Sequence, residues 1–149
     1  MNGERDDTRS TDDSHGAPID FDRLSVVEKR LATDNRFTGI ETQPEFAPDR
    51  IVCHYDLGFY PRRVQGARLE TVWFENGDFS LHYYEEHEDG VFDHRWDRHP
   101  SDHNTHDHVH PGPDAPTPGD DASHPVEWRD VLSMVLGEID NRQRAFWTG

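Results

Sequence analysis

The residues of this sequence that could do chemistry are concentrated in one short segment. Five histidines fall between His99 and His110, whereas the whole chain has 11. Histidine titrates near neutral pH, so two imidazoles can serve as a general base and a general acid. RNA carries its own nucleophile, the 2′-hydroxyl, so a site that cleaves it needs only a base, an acid and a cation for the developing phosphorane charge. One run of sequence supplies groups for all three roles: Arg95, Arg98, His99, His103, His108 and His110.

The histidine cluster also fits a metal site or a solvated loop. His106, His108 and His110 alternate, so in an extended strand they would project to one side and could bind zinc or another divalent transition metal. The spacing matches no specific zinc signature, and the chain lacks cysteine pairs. The segment could instead be a solvated loop in which histidine is a polar spacer that hydrogen-bonds to the sheet. Our prediction is a site that needs no cofactor, with the metal site as the alternative.

Residues outside the cluster receive mostly structural interpretations. Tyr84 could stack on a base, as aromatic side chains do in single-strand recognition. Trp96 is interpreted as a core residue, and the single cysteine, Cys53, as a small buried apolar side chain. The acidic pair at 85–86 is interpreted as part of a solvated face.

Alternating apolar residues predict the strands that must position these groups. Ile51 to Phe59, Arg68 to Phe74, Phe79 to Tyr84 and Val91 to Asp97 each alternate in the pattern of a half-buried strand. Asn76-Gly77 between two such runs predicts a tight hairpin, because both residues tolerate positive φ. We therefore predict an antiparallel meander of about four strands.

Helical spacing marks both ends of the folded region. A helix is predicted between Asp20 and Thr33, and a longer one follows Pro125. The apolar face of the longer helix consists of Trp128, Val131, Leu132, Val135, Leu136 and Ile139. Residues 34–48 are interpreted as a connection, and residues 99–125 as a long His- and Pro-rich loop. The predicted organisation is a disordered acidic N-terminus over 1–18 and a single α+β domain over 19–149.

The charge and the termini predict the compartment. The chain carries 15 Lys+Arg against 31 Asp+Glu, a formal net charge of -16. Molar salt screens the repulsion among carboxylates, so we interpret the acidity as halophilic adaptation; attraction to a basic partner is the alternative. The polar stretch from Met1 to His15 has no apolar signal region, and no apolar run is long enough to cross a bilayer. We expect a cytoplasmic protein with no membrane contact.

The order of these features resembles a known family. An Asn-Gly hairpin is followed by a strand ending in Arg95-Trp96-Asp97, then by His99-Pro100, a His-rich loop and an amphipathic C-terminal helix. This arrangement, over roughly residues 50–145, is similar to the TumE-like toxins of type II toxin–antitoxin systems. It also resembles small haloarchaeal proteins that carry an Arg-Trp-Asp-Arg-His-Pro and Asp-His-x-His-Pro pattern.

The resemblance implies a toxin that targets RNA, compatible with a metal-independent endoribonuclease, and a DNA-binding helix-turn-helix antitoxin as its partner. On that hypothesis His108, His110 and His103 are the acid–base candidates, and Asp97 orients an imidazole or an arginine. The expected contacts with the substrate come from Arg95, Arg98, His99 and Tyr84. A noncatalytic binding or regulatory partner of a helix-turn-helix protein and a His-rich metal-binding protein are the alternatives. The chain could also pair with a second copy of itself.

Overall fold

The computed structural model describes residues 17–44, 49–99 and 107–148. Within them, seven strands form one antiparallel sheet in the order of the chain, and two helices lie outside it. The helices are α1 (Phe21–Leu31) and α2 (Trp128–Thr148). The strands are β1 (Phe37–Gln43), β2 (Arg50–Tyr55), β3 (Val64–Trp73), β4 (Phe79–His87), β5 (Gly90–Arg98), β6 (Asp107–His110) and β7 (Asp120–Asp121). The α+β class and both helices agree with the prediction; most of the N-terminus predicted to be disordered lies outside the described residues.

The helix boundaries have local causes. The Asp20 carboxylate accepts a hydrogen bond from the Arg23 backbone N–H at 2.9 Å and caps α1. Leu24, Val27 and Leu31 then fall on one side and are buried. No helix within the described ranges has the length and apolar character needed to span a bilayer.

Tight turns join β3 to β4 and β4 to β5. Gly77 has a φ of 90°, and the Phe74 N–H donates to the Asp78 carbonyl at 2.9 Å. At the next turn Gly90 has a φ of 154°. The hairpin at Asn76-Gly77 forms as predicted, although within this pair only Gly77 has a positive φ.

The expectation of about four strands was too low. β1 lies in the segment interpreted as a connection, and β6 and β7 lie in the segment interpreted as a loop. These strands are polar and short or interrupted: β1 has a register shift between Phe37 and Gly39, and β7 has only 2 residues. Their backbone groups hydrogen-bond to an adjacent strand of the sheet. This pairing stabilises them without strong apolar alternation in their own sequence.

Both helices pack on the same face of the sheet. Leu69, Leu81 and Trp96 point toward them and are at most 2% exposed. Glu85 shares that face and is fully buried, which corrects its interpretation as part of a solvated pair. Its carboxylate binds Arg142 on α2 through two hydrogen bonds of 2.7 Å and also accepts from Tyr83 and His87. The opposite face of the sheet, which we call the open face, is covered by neither helix.

Candidate functional site

Strand parity places most of the predicted site residues on the open face. In β5, Trp96 faces the helices, so its neighbours Arg95 and Asp97 face the other way. Arg95 pairs with His110 of β6 and Asp97 pairs with His108, and residues opposite each other in an antiparallel pair share a face. Tyr84 of β4 shares it too, through its pairing with Asp93. The sheet therefore gathers predicted catalytic and substrate-binding residues from three adjacent strands.

Asp97 and His110 form a buried contact at the centre of this group. Asp97 is 6% exposed and His110 is 4% exposed. The His110 Nε2 lies 3.1 Å from the Asp97 Oδ2, at ion-pair distance without the alignment of a hydrogen bond. The His110 Nδ1 lies 2.8 Å from the Pro116 carbonyl, which can only accept, so Nδ1 carries a proton. The contact of Nε2 with the Asp97 carboxylate is attractive when Nε2 also carries a proton.

Arg95 completes the surroundings of Asp97. Its Nε donates to the Asp97 Oδ2 at 3.0 Å, and its side chain is 30% exposed. Burial raises the pKa of Asp97, but the contacts with His110, the charge of Arg95 and a hydrogen bond from Ser80 outweigh it and hold that pKa below its ordinary value. Asp97 is therefore a carboxylate at neutral pH and orients one arginine and one imidazole together.

His108 differs from His110 in being partly exposed. Its ring stacks on that of His99, with centroids 5.0 Å apart and planes inclined by 20°. Its backbone carbonyl accepts from the His124 Nε2 at 2.9 Å, which fixes β6 near its midpoint. Two of the predicted imidazoles therefore lie side by side at the rim of the open face.

Arg98 lies on the other face, beside the helices. Its Nε and Nη2 bind the two oxygens of Asp107 at 2.6 and 3.0 Å, and Nη2 also donates to the carbonyls of His124 and Pro125. Burial raises the pKa of Asp107, but these bonds and the His124 N–H lower it by more, so Asp107 is ionised. This contact set joins β5, β6 and the segment that leads into α2.

Tyr84 lies further along the open face. Arg68 of β3 places its guanidinium carbon 4.2 Å from the centre of the Tyr84 ring, a cation–π contact. The adjacent His82 imidazole contacts the Asp93 carboxylate. Sequence reasoning missed Arg68 and the pairing of His82 with Asp93, because cross-strand neighbours depend on register; the parity of strand β4 was the available signal.

Two predicted site residues, His103 and His106, lie outside the described residues. Within the described ranges, no group of at least three His, Cys, Asp or Glu side chains is arranged to hold a metal ion. The alternative metal site made of His106, His108 and His110 therefore stays a prediction. For Cys53, burial and the nearby carboxylates of Asp34 and Glu28 raise the pKa to about 12, which agrees with its interpretation as a buried apolar residue.

The family of the chain follows from a comparison of sequences. No curated protein and no solved structure matches the chain. The model of one family, described as Toxin TumE, matches residues 25–143. That range begins inside α1, includes every strand and ends inside α2. It covers well over half of the sequence, so this chain belongs to the TumE toxin family.

Proposed function

We propose that this chain is the toxin of a toxin–antitoxin pair and that its open face binds and cleaves RNA without a metal ion. Membership of the TumE family supports the toxin role and implies a cognate antitoxin. One observation carries the RNA-directed part: Arg95, Asp97, His108 and His110 converge on the face that neither helix covers. These are the acid, base and cation types that transesterification of RNA requires.

The partly exposed histidines are the groups we assign to proton transfer. His108 and His99 stack at the rim of the open face, so both rings could reach one phosphodiester. One imidazole takes the proton of the 2′-hydroxyl while the 2′-oxygen bonds to phosphorus. The other gives a proton to the 5′-oxygen while the bond from phosphorus to that oxygen breaks. The products are a 2′,3′-cyclic phosphate and a 5′-hydroxyl. His103 stays a further candidate for either role.

The residues around Asp97 provide and position the positive charge for a phosphate. Asp97 binds the Nε of Arg95, and the remaining donors of this partly exposed guanidinium can face a phosphate. His110 is almost fully buried and is held between Asp97 and Pro116, so we assign it a positioning role. Phosphate contact is assigned to Arg95 in preference to Arg98, whose contacts lie on the helix-covered face.

Cleavage of end-labelled RNA by the purified chain tests this proposal. The assay is run at moderate and at molar KCl, with and without EDTA. We expect cleavage that resists EDTA, leaves cyclic phosphate ends and is lost in His108→Ala. His54→Ala is the matched control, because His54 lies on the same face in β2 but pairs with Glu41, away from β6. Absence of cleavage by folded protein, or equal loss in both variants, would contradict the assignment.

A noncatalytic role is the second candidate, and one observation favours it. Several acids of the open face are paired with its own bases, as in Arg68–Glu70 at 2.8 Å and Arg95–Asp97 at 3.0 Å. A surface of this kind suits a binding partner such as a helix-turn-helix antitoxin. Growth arrest on expression of the wild-type chain, absent for His108→Ala, would favour catalysis; equal arrest by both, together with intact antitoxin binding, would favour the binding role.

A further inference from the structure

A cavity of about 250 Å³ lies on the helix-covered side of the sheet, away from the open face. Strand β5 contributes Phe92, His94 and Trp96 to its wall, and α2 contributes Glu138, Arg142 and Ala145. Sites for drug-sized ligands measure roughly 300–1,000 Å³, so this smaller cavity matches a single ring system. Its walls are largely aromatic, which suits a flat ligand.

His94 lines the cavity, and its ring has one hydrogen-bond donor of fixed identity. The Gly112 backbone N–H donates to the His94 Nδ1 at 3.0 Å, so Nδ1 has no proton and the neutral ring carries its proton on Nε2. Burial, with the charges of Arg142 and His110, lowers the pKa of His94 to about 4, so the ring is neutral at pH 7. The Nε2 is buried and has no hydrogen-bond partner among the described residues.

Charged groups of α2 complement this donor. The Arg142 guanidinium lies 3.4 Å from the centre of the Phe92 ring and binds Glu85 through Nε and Nη2, which leaves Nη1 for another acceptor. The Glu138 Oε1 accepts from the Trp96 Nε1 at 3.2 Å, and its carboxylate also lines the cavity. A ligand that satisfies the cavity must therefore be planar and carry both an acceptor for His94 and a donor for Glu138.

From this arrangement of His94, Arg142 and Glu138 around an aromatic cavity, we propose that the pocket binds a nucleobase, with guanine preferred. A hydrocarbon ring would leave the His94 N–H unpaired, which is unfavourable in a buried site. Guanine presents acceptors at O6 and N7 for the two donors, and its N1–H and N2–H₂ groups for the carboxylate. The sugar and phosphate lie outside, because the cavity holds only one ring system. The inference goes beyond the cleavage proposed above, since the pocket and the open face lie on opposite sides of the sheet.

Calorimetric titration of the full chain tests the pocket. The probes are GMP, AMP, CMP and UMP, ribose 5-phosphate as the ligand without a base, and 2′-deoxy oligonucleotides of four guanines or four cytosines. We expect GMP to bind best and ribose 5-phosphate not at all. His94→Asn keeps an acceptor near Gly112 and withdraws the donor, and we expect it to weaken GMP binding roughly five- to ten-fold. His54→Asn is the matched control.

A second variant keeps the test independent of the histidine. Ala145→Trp fills the cavity without removing a polar group, and we expect it to abolish GMP binding while circular dichroism stays unchanged. Tighter binding of the guanine oligonucleotide than of GMP would show that the natural ligand is a base in a nucleic-acid strand. Equal binding would show that it is a free nucleotide. Both results support a nucleobase site in the cavity. Binding of ribose 5-phosphate equal to that of GMP, or GMP binding unchanged in both variants, would overturn it.

The nucleobase proposal and the cleavage proposal can fail independently of each other. His108→Ala should bind GMP like the wild type even if it cleaves no RNA. If no nucleotide binds, and the complex with the antitoxin weakens in Ala145→Trp, the cavity receives a protein side chain and the nucleobase proposal is overturned.

Discussion

Replacing Asp97 by Asn tests whether the centre of the open face is an ion pair. The substitution keeps the shape of the side chain and removes its charge. His110, 4% exposed, and Arg95 then lose the carboxylate that both contact at about 3 Å. We therefore expect a loss of stability set by the burial of the pair.

The expected magnitude follows from that burial. Removing one partner of a buried ion pair costs about 3–5 kcal/mol, because the other charge stays buried without compensation. Arg95 is 30% exposed and can turn toward water, so the loss falls mainly on the buried contact with His110. We expect a loss of about 3 kcal/mol, at the lower end of that range. For a chain of this size that corresponds to a fall in Tm of roughly 6–12 °C.

Urea unfolding followed by tryptophan fluorescence measures the effect, and the chain offers a matched control. Glu41 contacts His54 at 2.7 Å on the same face, but the two side chains are 50% and 46% exposed. Glu41→Gln should leave the unfolding midpoint unchanged, because an exposed pair contributes little. Equal losses in Asp97→Asn and Glu41→Gln would refute the argument that burial determines the size of the stability loss.

The pH dependence provides a second check on the same pair. The pKa of Asp97 is lowered in the folded chain, so its contribution to stability is present above the unfolded value of about 3.9 and is lost as the pH falls through the folded value. The difference between wild type and Asp97→Asn should therefore shrink in acid. A double-mutant cycle with His110→Phe should give a coupling free energy of about 0.5–3 kcal/mol. Additivity in that cycle, or a difference that persists at low pH, would contradict the ion pair.

Three further predictions concern the helix-covered side. Glu85→Gln should lower the free energy of unfolding by about 3–5 kcal/mol in urea, because Arg142 loses a fully buried partner; a loss typical of a surface site would contradict this. Gly112→Ala should destabilise by about 1–3 kcal/mol, since a Cβ there would lie 2.1 Å from the Phe92 ring; an unchanged Tm would show that the ring can move aside. Because the pKa of His94 is lowered to about 4, wild-type stability should fall as the pH drops from about 6.5 to 4, and His94→Asn should show a smaller fall; identical slopes would exclude that titration.

The sequence predicted the elements that carry strong apolar alternation. The alternation from Phe79 to Tyr84 predicted a half-buried strand, and its apolar members Phe79, Leu81 and Tyr83 are all buried. The polar strands were missed for a physical reason: β6 reads Asp-His-Val-His, and only its pairing with β5 makes it a strand. Its extended conformation does confirm that His108 and His110 project to the same side.

The sequence predicted the positions of those site residues whose face is determined by the alternation of side chains along a strand. Arg95 and Asp97 differ by two positions and share a face, whereas Arg98 is an odd number of positions away and faces the helices. The burial of His110 was not predictable, because it depends on Pro116 returning beside β6. Glu85 was missed because its partner, Arg142, is remote in sequence and reaches it only when α2 packs on the sheet.

The net charge of -16 repels RNA on average, but the open face differs from the average surface. Each of four acids there contacts a base: Glu41 with His54, Glu70 with Arg68, Asp93 with His82, and Asp97 with Arg95 and His110. At these four positions a polyanion meets carboxylates that each contact a base, whereas Glu86 of β4 is exposed on the same face. Local pairing of this kind reduces repulsion without adding a strong attraction, so affinity for RNA would depend on stacking and hydrogen bonds more than on long-range steering. An open-face site should accordingly bind RNA with a shallow dependence on salt, in contrast to proteins that release many counterions from phosphate.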